Sequence, residues 1–301
     1  MRITIVASGS GGNVTLIEGG GVRVLVDAGV GPRTLTTLLE RAGDHRPPPS
    51  ALVITHAHSD HVGHYRPLAR RFGLRVYMSE ATARAVEPPS TVDVKRFSPR
   101  EPFAIGGLNV FPTPLPHDAA QVALVFEAGG LRAGLATDLG EVPPGLPEAF
   151  AACDLLLLES NHDMTMLREG PYPLHLKRRI ASAKGHLSNA QAAELLRALP
   201  PRARSVVLMH LSRTNNAPAL ALASAHAALA GRHVRLFVAP PRGPLSFDVA
   251  APPPAFPLVW PTGPNAPDEP SPPVAPPRPR GASAPAPATR PGLGKQLSLP
   301  F

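Results

Sequence analysis

Thr55-His56-Ala57-His58-Ser59-Asp60-His61 packs three imidazoles and a carboxylate into adjacent positions, directly after the apolar run Ala51–Thr55. That run reads as a buried strand, and a strand ending in such a cluster holds its side chains from a rigid base, as metal chemistry requires. In an extended or turning chain, His56 and His58 point to one side and reach a first cation. Asp60 and His61, on the following turn, reach a second. Imidazole and carboxylate donors suit zinc, manganese or iron. The alternative is a His-rich surface tract; a strand before the cluster and a helix after it argue against that reading.

The same arrangement recurs along the chain. Leu131–Thr137 leads to Asp138, Asp154–Leu158 to Glu159, and Ser205–Met209 to His210. Apolar strands that each end on a ligand-type residue are expected to converge on one edge of a sheet. Further strands are expected at Ile3–Ala7, Val14–Glu18, Val22–Asp27, Arg75–Met78, Leu108–Pro112, Val122–Glu127 and Val234–Val238. Pro32 opens a helix that runs to about Arg41 and stops at Gly43. Ser188 and Gln191 form a capping box, followed at helical spacing by Ala192, Leu195, Leu196 and Leu199, with Pro200 and Pro201 as the stop. Strands first, then strand–helix alternation, predict an α/β sheet sandwich with helices outside. No internal sequence repeat is evident.

Composition divides the 301 residues unevenly. Seventeen of the 40 prolines fall between Pro252 and Pro300. Such a segment buries too little apolar surface to offset its ordering entropy, so a disordered tail is expected after a single domain over 1–250. Net charge is +8, carried by 26 Arg and 4 Lys. That balance favours polyanionic partners, and it equally fits a GC-rich genome. The single cysteine, Cys153, precludes an intramolecular disulfide framework and reads as a buried structural thiol in a reducing compartment. No signal-like or membrane-spanning apolar run opens the chain, so a cytoplasmic protein without membrane contact is expected.

The His56–His61 pattern resembles the HxHxDH signature of the metallo-β-lactamase fold, an αββα sandwich with a dinuclear metal edge. Leu25-Val26-Asp27-Ala28-Gly29 resembles that family's early strand-and-Asp motif. Glu159-Ser160-Asn161-His162-Asp163, Gly185-His186-Leu187-Ser188-Asn189 and His210-Leu211-Ser212 resemble the YycJ/VicX-type branch, so that the likeness spans about residues 1–250. It implies that His56, His58 and His117 hold one divalent ion, Zn²⁺ or Mn²⁺. Asp60, His61 and His210 would hold the other, with Asp138 bridging. Two such cations activate water and clamp a phosphoryl oxygen. Asp27 matches the residue that orients a ligand histidine, or is an ordinary turn aspartate. The stretch 185–193 is similar to the one carrying the proton-donating histidine in transfer-RNA 3′-processing nucleases. His186 is therefore expected as general acid, oriented by Glu159, with Asp60 as the third catalytic residue; a capping role for His186 is the alternative.

Lys177, Arg178, Arg179 and Lys184 read either as a grip on phosphates flanking the scissile one or as a solvated helix face. No long insertion follows Asp138, so the clamp domain of the β-CASP branch is missing and an open cleft is expected. The YycJ/VicX-type resemblance implies a DNA exonuclease acting from the 5′ end. A small-molecule phosphodiesterase or lactone hydrolase of the same fold, and an RNA-processing nuclease, are the alternatives. Gln296-Leu297-Ser298-Leu299-Pro300-Phe301 resembles the hexapeptide with which bacterial proteins bind the DNA polymerase sliding clamp. There Gln296, Leu297, Leu299 and Phe301 would be the contacts and 251–295 a Pro-rich linker.

Overall fold

Successive residues of a strand face opposite sides of its sheet, and in this chain both sides are apolar. In Val24-Leu25-Val26 and Ala51-Leu52-Val53, the flanking residues enter one core cluster and the central leucines another. The strands are therefore covered on both faces. The computed structural model describes residues 1–250. The linker expected over 251–295 and the peptide Gln296–Phe301 lie outside the described residues.

Fourteen strands among these residues form two seven-stranded sheets. The first contains β1 (Arg2–Ala7), β2 (Val14–Gly19), β3 (Val22–Val26), β4 (Ala51–Val53), β5 (Arg75–Ser79) and β6 (Val94–Phe97). The second contains β7 (Phe103–Ile105), β8 (Leu108–Leu115), β9 (Gln121–Ala128), β10 (Leu131–Ala136), β11 (Leu155–Glu159), β12 (Ser205–Met209) and β13 (Arg235–Val238). β14 (Arg242–Asp248) returns to pair with β1. The sheet orders are β14-β1-β2-β3-β4-β5-β6 and β13-β12-β11-β10-β9-β8-β7.

Both sheets follow one plan. Strands β14, β1, β2 and β3 pair antiparallel, and β4, β5 and β6 continue in parallel. Strands β7 to β10 repeat the antiparallel part and β11 to β13 the parallel part. This topological duplication has no counterpart in sequence similarity, because many apolar sequences satisfy one pattern of burial. Ile3, Ile5, Ile17, Leu124, Phe126 and Leu157 fill the space between the sheets. Leu35, Leu38 and Leu39 of the helix Pro32–Arg41 pack with Leu68 on the outer face of the first sheet.

Two expectations need adjustment. The strand expected over Leu108–Pro112 continues through Pro112 and Pro114 to Leu115 rather than ending in a turn. Proline is tolerated there because β7 pairs only with Leu108–Val110, leaving the far part of β8 bonded on one side. The strand expected over Ala51–Thr55 ends at Val53, although the Ile54 amide still donates to Tyr77 at 2.9 Å. The helix over Asn189–Ala198 begins with the expected capping box. No helix among the described residues is long and apolar enough to cross a membrane.

Candidate metal centre

The ends of the central strands carry the polar side chains to a common place. His56 and His58 follow β4, and the short helix Ser59–Val62 adds Asp60 and His61. His117 lies just beyond β8, Asp138 just beyond β10, and His210 directly after β12, while Glu159 is the last residue of β11. Asp27, Asp138 and His210 have φ values of 63°, 59° and 55°. Non-glycine residues pay steric strain in this left-handed region, and here it turns each side chain off its strand toward the cluster.

Two groupings result. His56, His58 and His117 bring three ring nitrogens within reach of one ion, and Asp60, His61, Asp138 and His210 bring two ring nitrogens and two carboxylate oxygens within reach of another. His117 Nε2 lies 3.2 Å from His58 Nδ1, while His117 Nδ1 donates to the Gly185 carbonyl at 3.1 Å. Asp60 Oδ2 is 3.5 Å from His210 Nε2 and 3.6 Å from His61 Nε2. His56 Nε2, Asp138 Oδ2 and His210 Nε2 are buried without a hydrogen-bond partner among the described residues. Unpartnered buried polar atoms are costly, and three facing one cluster suit a cation-binding site.

Behind these groups stand the residues that orient them. Asp27, itself buried, takes His61 Nδ1 at 2.7 Å and also accepts from the Thr55 amide and hydroxyl at 2.8 and 3.0 Å. Glu159 is fully buried. Its Oε1 accepts from His186 Nδ1 at 2.9 Å and from His210 Nδ1 at 3.0 Å. Its Oε2 accepts from the amides of Leu187 at 2.9 Å and Leu139 at 3.2 Å. Asp138, Glu159, His186 and His210 are also close enough to surround an ion. Glu159 has its lone pairs committed to four donors, so its position suits orientation better than coordination.

Electrostatics separates the two groupings. Burial, and then the neighbouring His61, hold His56 well below the usual imidazole range, so its lone pair is available. Burial likewise lowers His117. In the other group, burial opposes charge on His210, but Asp138, Asp60 and Glu159 outweigh it and raise its pKa to about 10. Against the same opposition from burial, Asp138 and Asp27 hold His61 well above its ordinary value. Asp138 is held low despite burial by His210 and His61. The carboxylates thus create a field that favours positive charge, and a divalent cation satisfies it by displacing protons.

His186 lines the cleft with His58, Asp60, His117 and His210. Burial disfavours its charge, yet the Glu159 carboxylate prevails and raises its pKa. With Nδ1 given to Glu159, Nε2 is the nitrogen left for a ligand in the cleft. Of the basic residues at 177–184, only Arg179 lines the cleft. Lys177 donates to the Arg168 carbonyl at 2.7 Å, and Arg178 and Lys184 are exposed away from the cleft. His162 is buried, its pKa pushed down to about 4 by that burial, and belongs to neither grouping.

Three neighbours escaped the sequence reading. Asn13 Nδ2 lies 2.9 Å from His61 Nε2, and Ser8 Oγ accepts from the His210 amide at 2.8 Å. Both border the glycine-rich turn after β1, which reads in isolation as an ordinary turn. Asp118 Oδ1 is 3.0 Å from His58 Nε2 and 3.3 Å from His117 Nε2. Its adjacency to His117 is the one signal that could have pointed to it.

Residues 22–211 match the family described as "Beta-lactamase superfamily domain". Exodeoxyribonuclease WalJ of Streptococcus pneumoniae is 35% identical over 228 residues, covering 73% of this chain and 85% of that protein. Exodeoxyribonuclease YycJ of Bacillus anthracis is 33% identical over 235 residues, covering 73% and 86%. Among solved structures, the metallo-β-lactamase fold protein YhfI from Bacillus subtilis superposes with a TM-score of 0.64 at 17% identity, covering 82% of this chain and 99% of that one. Zn²⁺-bound PqqB from Methylobacterium extorquens gives 0.64 at 18% identity, covering 82% and 100%. These two share the fold.

Proposed function

The chain belongs to the β-lactamase superfamily domain family, and from that premise we propose that it is a metal-dependent phosphodiester hydrolase acting as a 5′ to 3′ exonuclease on DNA. The kinship to two exodeoxyribonucleases supports the substrate class. The observation that carries the chemistry is the convergence of seven ligand-type side chains beside His186, with His56 Nε2, Asp138 Oδ2 and His210 Nε2 buried and unpartnered among the described residues.

In this reading His56, His58 and His117 would hold one divalent ion and Asp60, His61 and His210 the other, with Asp138 available to both. Zinc or manganese suits these donors. When bound, such a pair supplies Lewis acidity and an activated water. The chain's own residues do the rest. Asp27 and Glu159 each accept an Nδ1 proton, which fixes the tautomer and the orientation of His61 and His210. His186, its pKa raised by the contact with Glu159, presents Nε2 to the cleft and delivers a proton to the departing alkoxide.

Purified protein with Mn²⁺ or Zn²⁺ is to be incubated with end-labelled DNA and RNA of defined ends. Stepwise shortening of DNA from its 5′ end is expected. Cleavage of RNA alone, or of neither polymer, overturns the substrate assignment. A finer part of the proposal is that Gln296–Phe301 tethers the enzyme to the sliding clamp and raises its local concentration near DNA ends. The synthetic hexapeptide should bind clamp in calorimetry, and a version with Gln296, Leu299 and Phe301 replaced by Ala should not. No heat with the unmodified peptide or the intact protein defeats the tether.

A further inference from the structure

The helix Leu174–Ile180 buries none of its residues, although Leu174, Leu176 and Ile180 are apolar. Leu176 and Ile180 are four apart and share one side of the helix, and Tyr172 stands just before its extended cap, Pro173. An amphipathic helix ordinarily turns such a stripe into the core. Here the three half-buried side chains line the cleft of about 390 Å³ that also holds His58, His117 and His186. Tyr172 is anchored there by its hydroxyl, which donates to Thr214 Oγ1 at 3.3 Å.

A cation stands beside the stripe. Arg179 donates through Nε to Asp118 Oδ2 at 2.9 Å, and the other oxygen of Asp118 is 3.0 Å from His58 Nε2. One short helix thus places an apolar strip and a guanidinium side by side, next to the residues assigned to the metals. The occupant this combination fits has a flat apolar face joined to an anion. A nucleotide meets both conditions: its base offers the face and its phosphate the charge.

We propose that Tyr172, Leu176 and Ile180 form the platform on which the base beside the scissile phosphate packs, with Arg179 exchanging Asp118 for the adjoining phosphate. The inference rests on the nuclease reading above and adds to it the form of the substrate. A base within a duplex has both faces stacked, so it must leave the helix to use the platform. The enzyme therefore acts best on single-stranded or frayed ends. The Tyr172 hydroxyl is already committed and the other two side chains have no polar atoms, so the platform accepts every base alike.

The test uses the full chain with Mn²⁺ and two single-stranded DNA substrates, one intact and one abasic at the position beside the cleaved bond. The intact strand should show a KM about 5- to 100-fold lower, the span that stacking on one side chain provides. Leu176→Ser and Ile180→Ser should shrink that ratio to within about 2-fold. Tyr172→Phe should preserve the ratio, because the ring remains. As a readout without turnover, 2-aminopurine at the same position should be quenched on binding to Asp60→Asn, and less so when Leu176→Ser is added. Equal KM values for intact and abasic strands overturn the platform while leaving the nuclease reading in place. Cleavage of neither strand defeats both. Sedimentation showing a dimer that Leu176→Ser dissociates would assign the stripe to a second copy of the chain and also overturn the proposal.

Discussion

Asp27 and Asp138 occupy matching places in the two sheets and lie beside opposite nitrogens of one histidine. Oδ2 of Asp27 is 2.7 Å from His61 Nδ1, and Oδ2 of Asp138 is 3.0 Å from His61 Nε2. Each aspartate follows the last antiparallel strand of its sheet, β3 or β10, and each sits at a left-handed φ near 60°. The duplicated topology therefore brings two equivalent carboxylates to face each other across one ring. Only the Asp27 side receives an Nδ1 proton and adds two bonds from Thr55, which makes Asp27 the anchor and leaves Nε2 facing the cluster.

Asp27→Asn should consequently leave the fold in place and weaken metal binding about 10- to 100-fold, the usual effect of losing a carboxylate behind a ligand histidine. Competition with a calibrated chelator measures this, with circular dichroism as the control for folding. Unchanged affinity would reduce Asp27 to a turn residue.

Metal uptake should release protons. His210 is raised to about 10, so below that pH a cation at the second site must displace its proton. Affinity is then expected to rise as pH rises toward that value and to fall as pH drops. Calorimetry in buffers of different ionisation enthalpy counts the protons released. Chelation should also lower Tm by several degrees, since an ion at about 100 times its Kd adds roughly 2.7 kcal/mol to the stability of the folded state.

His186→Ala should retain the full complement of metal yet slow cleavage about 10²- to 10⁴-fold. The loss should be smaller on a nitrophenyl phosphodiester, whose leaving group departs without a proton. Glu159→Gln provides the pH counterpart. The carboxylate raises the His186 pKa, and a general acid is lost as pH rises through that value. Removing the charge should therefore move the alkaline limb of the rate profile to lower pH. A limb that stays in place would argue against His186 as the acid.

Gly29 is where three stretches of backbone meet behind the metal loop. A Cβ there would lie 2.0 Å from the Asp60 carbonyl oxygen and 2.2 Å from the Asn13 nitrogen. The Asn13 amide donates to that Asp60 carbonyl at 2.8 Å, and the Gly29 amide donates to Asn13 at 3.0 Å. Gly29→Ala must displace one of these segments, so a stability loss of about 1–3 kcal/mol or more is expected, accompanied by weaker metal binding. Thermal unfolding with and without metal separates the two effects. An alanine variant with wild-type Tm and metal content would refute the close packing.

Local spacing made a good part of this protein legible. Short apolar runs marked most strands, Ser188 and Gln191 marked a helix start, and four ligand-type residues stand together at 56–61, where contiguity alone brings them near one another. Strand ends also pointed to Asp138, Glu159 and His210, because an apolar strand delivers its next residue to the sheet edge. Short or polar strands gave no such signal: Val94-Lys95-Arg96-Phe97 reads as surface, and β14 is held by pairing with β1 at the opposite end of the domain. The contacts that refine the site are likewise long-range. Ser8 meets the amide of His210 across 202 positions, and Glu159 joins His186 to His210 from a third strand end. Which nitrogen each histidine presents, that Arg179 reaches the cleft while its basic neighbours do not, and that an apolar stripe lines the cleft instead of entering the core were decided by tertiary structure. Spacing along a chain constrains neighbours a few residues apart, whereas a site assembled from remote strand ends takes its geometry from how the sheets pack.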